Sequence, residues 1–193
     1  MNRVPLASVR APHFRDHGRP MPIVFLACAL LVGTTTVLHY EALRTLNTRL
    51  PSLGIPSRTK LLVVMIVAFF AHAFEIALYG GALHVLVADL HAGSLLGAHG
   101  FSFANCIYLS AETYTSLGFG DITPTGPVRL LAGVEALNGL LLIGWTASFT
   151  YIAMARFWTT PAARRSRRSA RRRSQPGAAG GVRERRDEAE VLH

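Results

Sequence analysis

Two groups of residues in this chain stand where they could do chemistry. The first lies in the stretch AETYTSLGFGDITPTG, Ala111 to Gly126, which sets three glycines, an acid ending a GFGD tetrad and a dense run of hydroxyls between long hydrophobic segments. Gly118 and Gly120 can adopt backbone angles that point successive carbonyls toward one axis, so the chemistry open to this loop is that of main-chain oxygen rather than of side chains. The second group consists of ionisable side chains inside apolar runs, which are functional candidates by default in a membrane. His72 and Glu75 are three apart and share a helical face. They can pair against a neighbouring helix or sense pH, and a satisfied interhelical hydrogen bond is the plainer reading. His84 and Asp89 lie toward the outer end of the same run and reach water, while Glu135 and Asn138 occupy the outer half of a later run. Catalysis finds no support, because the histidines are scattered and no nucleophile and base stand at a catalytic spacing. Cys28 and Cys106 lie in or beside apolar runs without metal-ligand spacing and read as unpaired, packed thiols.

The elements that must position these residues are apolar. Half of the 193 residues are hydrophobic and the mean hydropathy is +0.31, too apolar for an ordinary soluble domain. A membrane-crossing helix needs about 20 mainly apolar residues, and three runs qualify: Met21 to Tyr40, Leu61 to Leu90, and about Leu130 to Phe157. Between the second and third lies FSFANCIYLSAETYTS, Phe101 to Ser116, apolar enough to enter a membrane but, at about 24 Å as a helix, short for a crossing. Ser102 suits its N-cap and Gly118 its stop. A short helix followed at once by a polar, glycine-rich loop reads as a re-entrant segment, since irregular backbone survives at membrane depth only where protein buries it or water bathes it.

Charge sets an expected orientation. The net charge of +9 is concentrated after the third run, where eight arginines lie between Arg156 and Arg173. Basic flanks favour the cytoplasm, which places the C-terminus inside, the N-terminus outside, and the segment holding Arg44, Arg49, Arg58 and Lys60 inside. Arg3, Arg10, Arg15 and Arg19 oppose this. Either translation starts at Met21, or the C-terminal charge outvotes them. Residues 1–20 and 159–193 read as disordered, the latter because it has too little apolar content to fold. The cluster Arg164–Arg173 is either a topology signal or a site for anionic lipid; its tether to a membrane helix disfavours nucleic acid. No span carries an arginine ladder, so a voltage sensor of the usual type is not expected.

SLGFGD, Ser116 to Asp121, resembles the selectivity filter of potassium channels, usually Thr-Val-Gly-Tyr-Gly-Asp. The short helix before it, the proline three residues after Asp121 and the full span beyond resemble the two-helix pore module of that superfamily over residues 61–158. The additional first span, with its cytoplasmic loop over residues 21–60, resembles that of small bacterial three-span members. The resemblance implies an all-α membrane protein with three transmembrane helices (outer helix 61–90, inner helix 130–157), a pore helix at 101–116 and a filter at 116–121. It also implies a homotetramer, since one loop cannot ring an axis. Carbonyls of Ser116, Leu117, Gly118 and Phe119 would hold K+ in a filter completed by Gly120, and the Ser116 hydroxyl would form the innermost ring. Support would come from Glu112, Asp121, Tyr108 and Thr115. Glu112 stands nine residues before Asp121, as in a bacterial proton-activated member where the two carboxyls share a proton; the alternative is that Glu112 faces solvent. Gly139 would be the gating hinge and Gly144 a second place to bend. Potassium is then the permeant ion and no cofactor is required.

The sequence also departs from the pattern. Phe119 replaces tyrosine and lacks the hydroxyl that braces the filter, while Tyr108 and Leu109 stand where a tryptophan pair is usual. Loss on both sides leaves no buried hydroxyl without a partner. Ser116 replaces threonine. These changes leave open a weakly selective cation pore, and a loop that only packs helices would make the chain a non-conducting membrane subunit.

Overall fold

The computed structural model describes residues 20–97 and 101–158. The expected disordered ends, apart from Pro20, and the Arg164–Arg173 cluster lie outside them. Among the described residues, three helices are long and apolar enough to cross a membrane: α1 (Pro20–Arg49), α2 (Ser57–Ala88) and α4 (Val128–Trp158). A fourth, α3 (Phe103–Tyr114), has 12 residues, about 18 Å, and is too short to cross. The chain is thus a mostly helical membrane protein, with one exception to the all-α expectation described below.

Prolines set the helix ends. Pro51 has no N–H to give to the carbonyl four residues back, so α1 gives way after Arg49 to a 3-10 turn at Leu50–Ser52. Pro56, in an extended conformation, precedes the first turn of α2, and Pro127 precedes that of α4. α1 runs nine residues past the end of the apolar stretch at Tyr40. Its extension is rich in good helix formers, and Arg44 reaches Glu41 at 3.1 Å one turn back. The segment expected as a loop after Tyr40 is therefore mostly helix.

The lateral hydrogen bonds give the packing. Asn138 of α4 donates to Thr35 of α1 at 2.9 Å and to Tyr79 of α2 at 3.2 Å. Further along, Thr146 of α4 meets His39 of α1 at 2.9 Å and His72 of α2 at 3.0 Å. At the end, Arg156 donates to Asn47 at 3.1 Å. Numbers rise together in α1 and α4 and fall in α2, so α2 runs antiparallel to the other two. α3 sits between α2 and α4, where glycines admit it: a Cβ on Gly80 would lie 2.9 Å from Ile107 Cα, and one on Gly139 would lie 2.2 Å from the Tyr114 carbonyl oxygen.

The short strands β1 (Ser94–Gly97) and β2 (Ile122–Thr125) pair antiparallel, from Ser94 opposite Thr125 to Gly97 opposite Ile122. The Ser94 and Thr125 hydroxyls, 2.6 Å apart, add a side-chain link. This pairing was not expected from sequence. It joins the chain just before α3 to the chain just after the glycine-rich loop, so α3 and the loop form one unit clamped at both ends.

The bundle is apolar outside and partly polar within. Phe69, Phe70 and Phe74 of α2 and Leu137 and Leu141 of α4 face outward, while Thr35, His39, Glu75, Ser110, Glu112, Glu135 and Asn138 are buried. That distribution suits lipid, where a polar side chain is cheapest facing other helices.

Candidate functional site

The loop after α3 is built from the helix outward. Ser102 caps α3 by accepting from the Asn105 amide at 3.1 Å, as its position suggested. At the far end Thr115 N donates to Ala111 O, Ser116 N to Thr113 O at 3.0 Å and Leu117 N to Glu112 O at 2.8 Å, which closes the helix and aims the chain away from it. The Thr115 hydroxyl donates back to Ala111 O at 2.7 Å. From there the backbone alternates: φ is +58° at Ser116, +57° at Gly118 and +80° at Gly120, while Leu117 and Phe119 are not in this region. In an ordinary extended chain successive carbonyls face opposite sides. Reversing the sign of φ at every second residue turns them toward one side. A Cβ at Gly118 or Gly120 would meet nothing within 4 Å, so conformation and not crowding within the chain calls for glycine there. Ser116 holds the same conformation without being glycine, at a cost of about 1–2 kcal/mol. Leu117 and Phe119 are exposed, at 60% and 66%.

Around the loop, the Tyr108 hydroxyl donates to Asp121 Oδ1 at 3.4 Å. Glu112 is buried, and its Oε1 has no hydrogen-bond partner among the described residues. Its burial in the chain departs from the solvent-facing alternative. Glu112 and Asp121 are not joined directly; Tyr108 stands beside both, and its phenol is pushed above the usual range first by Glu112, then by desolvation and by Asp121.

Behind the loop lies a polar cluster that sequence reasoning glimpsed only at His72 and Glu75. Glu75 Oε1 is 2.9 Å from His39 Nδ1, and its Oε2 is 3.2 Å from His72 Nδ1. Tyr114, the last residue of α3, donates its hydroxyl to Glu75 Oε2, and its Oη is 2.9 Å from His72 Nδ1. Both remaining ring nitrogens face Thr146 Oγ1. All four helices meet here, and the imidazole and carboxylate donor atoms of His39, His72 and Glu75 lie within 4.8 Å of one another. The interhelical pairing expected for His72 and Glu75 is present. A second polar point sits further along, where Ser110 of α3 bonds the Ile76 carbonyl at 2.8 Å and contacts the Glu135 carboxylate. Gly139 seats the end of α3, whereas a Cβ on Gly144 would meet nothing within 4 Å. His84 stacks on Phe101 with ring centroids 5.0 Å apart.

The family model described as ion channel matches residues 59–156, just over half of the chain. The chain belongs to the ion channel family. The match runs from the first turn of α2 to the end of α4 and so takes in α3, the loop and both strands of the channel domain. α1, which supplies His39 and Thr35, lies outside it. No curated protein and no solved structure matched this channel chain.

Proposed function

We propose that the chain conducts potassium passively across the membrane through a pore made by four copies, with the Ser116–Gly120 backbone lining the ion path. The observation that carries this reading is the alternation of φ at Ser116, Gly118 and Gly120, inside the segment matched by the ion channel family. Carbonyls turned to one side, repeated by four chains, form rings of oxygen that can replace the water around an ion. On this reading α3 is a re-entrant pore helix, and the exposed Leu117, Phe119 and apolar faces of α2 and α4 meet neighbouring copies or lipid. α4 gates by bending at Gly144, which has room, while Gly139 keeps α3 seated. The end of the bundle bearing Arg44, Arg49, Arg58 and Lys60 faces the cytoplasm together with the C-terminus.

The test is ion flux from liposomes holding purified, crosslink-verified tetramers, driven by potassium or sodium gradients with and without barium. Potassium-selective flux that barium blocks and Gly118→Ala abolishes is the expected result. Equal passage of sodium would replace it with a weakly selective cation pore. A chain that is not a tetramer and carries no flux would be a non-conducting membrane subunit.

A further inference from the structure

The cluster at the meeting point of the four helices has more close contacts than hydrogens when both imidazoles are neutral and Glu75 is ionised. Each ring nitrogen of His39 and His72 faces an oxygen: the two Nδ1 atoms face Glu75 at 2.9 and 3.2 Å, and the two Nε2 atoms face Thr146 Oγ1 at 2.9 and 3.0 Å. A neutral imidazole brings one hydrogen and a hydroxyl brings one. Two imidazoles and Thr146 therefore offer three hydrogens for four contacts, and the Tyr114 hydrogen is already given to Glu75. With Glu75 ionised, one contact is left as two lone pairs facing each other in a buried place, which is costly. A proton on Glu75 or on an imidazole, or a metal ion at the cluster, removes that conflict.

The arrangement of the remaining atoms indicates which cation. Thr146 Oγ1 has two lone pairs and can accept both Nε2–H groups. That tautomer turns both Nδ1 lone pairs toward the Glu75 carboxylate together. Imidazoles that bind metal characteristically give their other N–H to such an acceptor. Tyr114 Oη, 2.9 Å from His72 Nδ1, is a fourth donor at the same point. We propose that His39, His72 and Glu75, with Tyr114 on the fourth side, form a binding site for a divalent transition-metal ion inside the helix bundle.

Ligands at 2.0–2.1 Å around a tetrahedral ion stand about 3.3 Å apart, and each imidazole nitrogen has a Glu75 oxygen near that separation, Oε1 at 2.9 Å for His39 and Oε2 at 3.2 Å for His72. The full donor set spans up to 4.8 Å, so the imidazoles must turn inward by about an ångström. Two nitrogens with carboxylate and phenolate oxygen, the Tyr114 proton being released to solvent as the ion binds, suit zinc, copper(II), nickel or cobalt over magnesium or calcium. His72 keeps 18% of its side chain exposed and provides the approach. The ion would tie α1 to α2 beside Tyr114, two residues before Ser116, and so hold the base of the loop. Because His39 comes from α1, outside the family-matched segment, the site does not depend on the conduction reading.

The experiment uses the full chain in detergent, stripped with chelator and titrated with cobalt(II) while the visible absorption of a tetrahedral centre is followed; metal content per chain is read in parallel by mass spectrometry. One cobalt per chain, displaced by zinc and absent in His39→Ala and Glu75→Gln, is expected. Thr146→Val, which keeps all the ligands, should weaken binding by about 10–100-fold. Wild-type protein that takes up no cobalt at micromolar concentration overturns the proposal and leaves an added proton as the cation. Equal uptake by wild type and Glu75→Gln overturns it as well. The wild-type titration decides the matter even where a variant fails to fold.

Discussion

Gly139 of α4 lies directly on the main chain of Tyr114, so that a Cβ there would come within 2.2 Å of the Tyr114 carbonyl oxygen. The contact fixes the end of α3, and with it the start of the Ser116–Asp121 loop, against the third long helix. Gly139→Ala should therefore push the loop's base away. Overpacking of this kind costs about 1–3 kcal/mol, read as a lowered thermal midpoint in detergent, and ion flux should be lost. Gly144→Ala, with open space around it, should keep its midpoint or raise it, since alanine favours helix by about 1 kcal/mol over glycine. Equal effects at the two positions would contradict this division of labour.

Ser116 offers a gain in stability. It sits at φ +58°, where a side chain is strained and glycine is not. Ser116→Gly should stabilise the protein by about 1 kcal/mol. Ser116→Val, branched at Cβ, should do the opposite. Differential scanning of the three proteins at one detergent concentration checks the order. If glycine and serine unfold together, the neighbouring chains of an assembly relieve the strain, and the single-chain argument fails.

The parts of this architecture that were legible in sequence are those governed by neighbours along the chain. Ser102 as the cap of α3 and the spacing of Gly118 and Gly120 both act within a few residues. The extension of α1 through Arg49 was not legible from hydropathy, which falls at Glu41 while helix propensity does not. The β1–β2 pairing was hidden because SLLG and ITPT are four residues each and pair across the intervening α3 and loop. His39 was missed for a related reason. Its partners Glu75 and Thr146 stand 36 and 107 residues away, and only the register of three packed helices brings them together. A lone histidine in an apolar run carries no local mark of that register.

Tyr108 and Asp121 should behave as one unit. The phenol donates to Oδ1 at 3.4 Å on the exposed side of α3, so Tyr108→Phe should leave the thermal midpoint nearly unchanged. Its effect belongs instead to how long flux persists after a gradient is applied, because the bond ties the end of the loop back to α3. Asp121→Asn should alter persistence in the same direction, and the double variant should change little more than either single one. Fully additive changes would show that the two residues act separately.

The Thr35–Asn138–Tyr79 contact gives a prediction about size. Asn138 donates to both hydroxyls in a buried layer that links α4 to α1 and α2. Intuition from a dry interior suggests several kcal/mol for such a bond. In membrane proteins the separated helices find other partners for their polar groups, and measured couplings average about 0.6 kcal/mol, with a maximum near 1.7. A double-mutant cycle of Thr35→Ala and Asn138→Leu should therefore return a coupling of about 0.6 kcal/mol, measured from unfolding midpoints in mixed micelles. Each single variant should still fold, because Tyr79 also packs in an apolar cluster with Val24, Cys28 and Leu131. A coupling above about 2 kcal/mol would mean that this layer has no alternative partners when the helices separate, and that it specifies the register of α1 on the channel domain more strongly than packing does.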